Sequence, residues 1–92
     1  MTSRFMHMEQ SQIQSIIDAA SAEKRAELET EAVFAAVDLG TSMKIGMLGP
    51  LEKNAFHMAV EMLVRLEAKK YRKGWWFRTK RRLQLTAMYM GT

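Results

Sequence analysis

The stretch from Lys69 to Arg82 carries the densest chemistry in this chain. Lys69, Lys70, Arg72, Lys73, Arg78, Lys80, Arg81 and Arg82 surround four rings, Tyr71, Trp75, Trp76 and Phe77, within fourteen positions. Cations neutralise phosphates, and aromatic faces stack on unpaired bases for ~1–3 kcal/mol per base. The segment predicts a binding surface for a polyanion, nucleic acid first. An acidic protein face is the alternative, with Trp75, Trp76 and Phe77 as hot spots of an adaptor or inhibitor. A peripheral membrane surface is a further and less favoured partner. A reading without any partner has Trp76 and Phe77 closing the core, with the cations as its solvated rim. No recognition-helix, ribonucleoprotein or zinc-finger signature is present, so sequence-specific readout is not expected.

Other groups are too sparse for catalysis. His57 and Glu61 stand one helical turn apart, the only His–carboxylate pair at that spacing, and His7 makes a poor second ligand. Metal or acid–base work needs a second cluster. Glu23, Glu27 and Glu31 fall at i, i+4 and i+8. They read as a solvated acidic ridge, which could meet the basic segment, because no further cation ligands converge on them. Without cysteine, and with scattered serines, no nucleophile assembles. The chain is therefore expected to be non-enzymatic, with no catalytic residue, metal, cofactor or small-molecule substrate.

Asp38-Leu39-Gly40-Thr41-Ser42 is similar, over five residues, to the first phosphate loop of the actin and sugar-kinase ATPase superfamily. That loop belongs to a hairpin of a much larger two-domain fold. Here Glu31–Val37 favours helix, and Gly40 reads as the residue just past a helix end. Gly46 and Gly49 are not followed by the Gly-Lys-Ser/Thr of a P-loop.

The 92 residues predict one small domain with a modest core, 48% of them hydrophobic. No apolar run approaches ~20 residues, and Met1–Gln10 lacks a signal-peptide core, so a cytoplasmic protein is expected. The net charge of +4 hides a division. Residues 1–50 set four cations against seven carboxylates, net −3, and residues 51–92 set ten against three, net +7. Such bipolarity suits a basic end facing an external anion, or a homo-oligomer joining unlike ends.

These residues must be positioned by helices. The expected fold is all-α, a bundle of two to four helices: helical 8–39, a loop 40–50, a core helix 51–73, and a basic aromatic segment 74–92. Apolar stripes at Ile13, Ile16, Ile17 and Ala20, and at Leu28, Ala32, Ala35, Ala36 and Leu39, are offset on one straight helix. A break near Ser21, which can cap a new segment, removes the offset. From Ala55 to Leu66 apolar residues cover nearly the whole circumference, leaving Asn54, His57, Glu61 and Arg65 as a polar strip. That pattern marks a central, buried helix stopped by Gly74. Met58 and Met62 would be core; Met43, Met47, Met88 and Met90 suit an interface or local packing. The final segment reads as a helix with Trp76, Leu83, Ala87 and Met90 on one stripe. A strand alternating Leu83, Leu85, Ala87 and Tyr89 would lack a pairing partner.

Overall fold

The computed structural model describes residues 3–91. Five helices follow one another: α1 (Ser3–Met6), α2 (Gln10–Ala19), α3 (Ala22–Lys44), α4 (Pro50–Lys70) and α5 (Trp75–Tyr89), with no strand among the described residues. The all-α expectation holds, and the helices exceed the anticipated two to four by the short α1. No helix is long and apolar enough to cross a membrane among the described residues.

The break near Ser21 is present. The Ser21 side chain accepts a hydrogen bond from the Lys24 backbone N–H at 3.1 Å, satisfying one of the free donors that opens α3. The two stripes can then turn independently, so Ile13 and Ile17 of α2 and Leu28, Ala32, Ala35 and Ala36 of α3 are all buried.

α4 is the centre, as its all-round hydrophobicity requires. Ala55, Phe56, Met58, Ala59, Val60, Met62, Leu63, Val64 and Leu66 are buried on it, and every other helix packs against it. Pro50 opens it at the first helical position, where the missing N–H is no loss. The methyl-sized side chains of α3 at Ala32, Ala35 and Ala36 let the two long helices approach closely, and their contact is the most extensive in the molecule.

Several boundaries differ from expectation. The 8–39 segment is two helices, and α3 continues past Leu39 to Lys44, carrying the Asp38–Ser42 motif inside a helix. The 40–50 loop shrinks to 45–49, and α4 ends at Lys70, not 73. Gly40 is not a terminator: an added Cβ would lie 1.9 Å from the Tyr89 carbonyl oxygen. It is a notch through which α3 admits the backbone of α5. The N-terminal residues also belong to the core. Phe5 is fully buried and Met8 nearly so, and the Asn54 amide donates to the carbonyls of Phe5, Met6 and Met8 at 3.3, 3.0 and 2.9 Å.

Candidate nucleic-acid interface at the α4–α5 corner

The basic aromatic run folds into a corner. α4 ends in a Schellman turn: the Lys73 N–H reaches the Ala68 carbonyl at 2.8 Å and the Arg72 N–H reaches Lys69 at 3.4 Å. The left-handed position usual for glycine is held by Arg72, φ 54°. Gly74, expected to stop α4, instead precedes α5 as its N-cap. A side chain in that conformation costs roughly 1 kcal/mol. Arg72→Gly is therefore expected to raise stability by about 0.5–1 kcal/mol, a Tm increase of roughly 5 °C. Thermal unfolding followed by circular dichroism checks this, and an unchanged or lower Tm would show that Arg72 is held there at no cost.

Trp75 and Trp76 occupy the first turn of α5, 67% and 63% exposed, with ring centroids 5.6 Å apart and planes tilted by 38°. They do not close the core. Phe77 is half-buried and shares a shallow groove with Lys73, Trp76, Lys80, Arg81 and Gln84.

The eight cations divide into two groups. Arg82 donates from Nε and Nη2 to the two carboxylate oxygens of Glu61 at 2.6 and 2.9 Å, and Arg65 adds a 2.6 Å bond to the same carboxylate. Burial alone pushes the Glu61 carboxyl up, but the bonds and charges of Arg82 and Arg65 outweigh it and hold it below the usual glutamate range. Arg81 pairs with Glu67 at 3.0 Å, Lys69 with Asp18 at 2.9 Å, and the Lys70 ammonium lies 5.5 Å from the Tyr71 ring centre. The ion pairs of Arg82, Arg81 and Lys69 tie α5 and α2 to α4, whereas Lys70 only sits beside the ring of its own neighbour. Arg72, Lys73, Arg78 and Lys80 have no ion-pair partner among the described residues.

The free cations do not serve the helix they flank. The N-terminus of α5 has no acidic residue in its first turn and no side-chain cap. Its dipole and unsatisfied N–H groups already favour negative charge, so neighbouring cations are unfavourable to the helix itself. Exposed rings, unpaired cations and open N–H groups therefore share the segment that turns from α4 into α5, with Lys73 and Lys80 in one groove with Trp76.

The stripe expected on α5 faces outward except at its last member, Met90, which packs at the edge of the core. Leu83 is 71% exposed, whereas Leu85, half a turn away, is the helix's buried residue. On the inward side Arg82 pairs with Glu61, 3% exposed on α4, one turn from the buried Leu85, so this rotation of α5 satisfies a buried carboxylate. Nothing in the hydrophobic spacing of α5 reports that charge.

The remaining sites dissolve. His57 is exposed, its ring packed edge-on against Phe56 at 5.8 Å, while Glu61 is occupied by two arginines. Glu27 pairs with Lys24 and Glu31 with Arg4, so neither meets the basic corner. No group of three metal-ligating side chains occurs among the described residues. Met58 and Met62 are core, Met43 and Met90 pack against its edge, and Met47 and Met88 are exposed. Comparisons with protein families, curated proteins and solved structures find no match to this chain.

Proposed function

We propose that this is a non-enzymatic binding protein whose α4–α5 corner takes single-stranded nucleic acid. The observation that carries the reading is the exposed Trp75–Trp76 pair among Arg72, Lys73, Arg78 and Lys80. Unpaired bases stack on the two rings, and the backbone phosphates meet the four free cations and the open N-terminus of α5. Trp75, Trp76 and Phe77 form the aromatic part. Lys69, Arg81 and Arg82 contribute positive field from positions fixed by their own partners, and Lys70 adds to it from the exposed end of α4.

Titration of a thymidine oligonucleotide, followed by tryptophan fluorescence, tests it. With four phosphates neutralised, the log–log salt slope is expected near −3. Trp75→Ala and Trp76→Ala should each weaken binding about tenfold, and Arg72→Gly should make the slope shallower by about 0.7. A flat salt response, or no binding at low salt, excludes nucleic acid. The same exposed rings favour one second reading, an adaptor that inserts them into a pocket on an acidic protein. That reading predicts a pull-down surviving nuclease treatment and lost in the Trp75→Ala/Trp76→Ala variant.

A further inference from the structure

α3 keeps one exposed face along most of its length. Glu27, Thr30, Phe34, Val37, Thr41 and Lys44 follow one another at alternating steps of three and four, and all six are exposed. At ~100° per residue they centre on the side directly opposite the buried Leu28, Ala32, Ala35 and Ala36. Phe34 and Val37, at the middle, are 54% and 59% exposed, an apolar surface that the monomer leaves in water. Unlike charges flank it, Glu27 towards the N-terminus and Lys44 towards the C-terminus. Their bonds within the monomer are long and exposed: Lys24 reaches Glu27 Oε2 at 3.3 Å, and Lys44 Nζ reaches the Gly91 carbonyl at 3.4 Å. Each keeps bonding capacity for a further partner.

We propose that the chain forms a two-fold dimer in which this face of α3 packs antiparallel against the same face of a second copy. The face is self-complementary in that direction. With Phe34 set against Val37 of the second copy, Thr30 meets its Thr41 and Glu27 meets its Lys44. Symmetry repeats each contact, so two apolar layers lie at the centre, hydroxyls follow, and an ion pair closes each end. A parallel pairing in register sets Glu27 on Glu27 and Lys44 on Lys44. Sliding the antiparallel pair by one heptad sets Glu27 on Val37, a charge buried against an apolar side chain. One direction and one register therefore match all six positions. On the flank, Asp38 comes near Glu31 of the second copy, whose charge its own Arg4 already holds. The symmetry is closed, so assembly ends at two copies. A single helix pair buries less than the ~1,200 Å² of a standard interface, which makes the association a weak one.

No residue of the α4–α5 corner takes part, so failure of oligonucleotide binding leaves the dimer untouched. Sedimentation equilibrium on the full chain, up to about 1 mM protein, provides the first test. The mean mass is expected to rise with concentration from 10.6 kDa towards twice that value and no further. Phe34→Ser, at an exposed position, removes both central layers and is expected to stay at one copy throughout, with circular dichroism checking that it folds. A second test reads direction and register. The chain has no cysteine, so single substitutions give unambiguous crosslinks. Under mild oxidation an equimolar mixture of Thr30→Cys and Thr41→Cys is expected to form a disulfide-linked pair. Either variant alone is not, because like positions then lie about 16 Å apart along the helices, beyond the reach of a disulfide. A mass that stays at 10.6 kDa or grows past two copies overturns the proposal. So does a Phe34→Ser chain that still assembles, a single cysteine variant that crosslinks at the rate of the mixture, or a mixture that does not crosslink.

Discussion

Gly40→Ala is expected to unseat α5 and cost about 3 kcal/mol, lowering Tm by roughly 15 °C. Two effects oppose each other. In a helix interior, alanine is more favourable than glycine by up to about 1 kcal/mol, so propensity alone forecasts a stabilised α3. Against this, the new methyl carbon would sit 1.9 Å from the Tyr89 carbonyl oxygen and 2.7 Å from its carbon. Both obstacles are backbone and cannot rotate aside. Overpacking of a filled site costs about 1–3 kcal/mol, and a rigid neighbour puts this case at the upper end. α5 buries only Leu85 fully, so it is the element that yields. Hydrogen exchange should show its amides losing protection while those of α4 keep theirs. A Tm equal to or above that of the parent chain would show that α5 does not occupy the notch.

Arg82→Ala is expected to cost about 3 kcal/mol, because it leaves the buried Glu61 carboxylate with Arg65 alone. Breaking a buried ion pair from one side costs about 3–5 kcal/mol, and the remaining arginine keeps this case at the lower end. Replacing both ends, Glu61→Leu with Arg82→Met, should recover most of the loss, since apolar pairs of similar size commonly match a buried ion pair. The same cluster imposes a pH dependence. The folded pKa of Glu61 lies below its ordinary value. Its contribution is therefore complete above the unfolded glutamate pKa and is lost as pH falls through the depressed folded one. Urea unfolding from pH 7 downward should show stability falling in that acid range, with a smaller fall in Glu61→Gln. Equal slopes for the two proteins would show that the cluster does not set acid stability.

The helices were legible where local rules and burial agree. The Ser21 break follows from two stripes that no single helix can bury together, and α4 from a circumference without a solvated face. The tail is helical, as the absence of any pairing partner for a strand indicated. Gly40 misled because glycine past an apolar stripe resembles a helix end, and only the distant Tyr89 backbone shows it to be a notch. Phe5 and Met8 were missed because α1 is a four-residue helix held by a distant amide on Asn54, which no short-range periodicity records. The candidate corner was legible as a composition but not as a selection. Spacing cannot tell Arg82, spent on Glu61, from Arg78, which is free, because the distinction is made 21 residues away. Arg72 in a left-handed turn leaves no mark in sequence either, since glycine, the usual occupant, stands two positions later.

The placement of α4 bears on how the molecule comes into being. α1, α2, α3 and α5 all lean on it, and they have little to do with one another beyond the packing of α3 with α5 and the Arg4–Glu31 ion pair of α1 with α3. The arrangement is a hub with spokes, and the hub spans residues 50–70, beyond the middle of the chain. During synthesis from the N-terminus, three spokes exist before anything they can fold onto. The apolar faces of α2 and α3 are therefore made before the helix that covers them. For a chain this short, the order of manufacture and the order of assembly are different things.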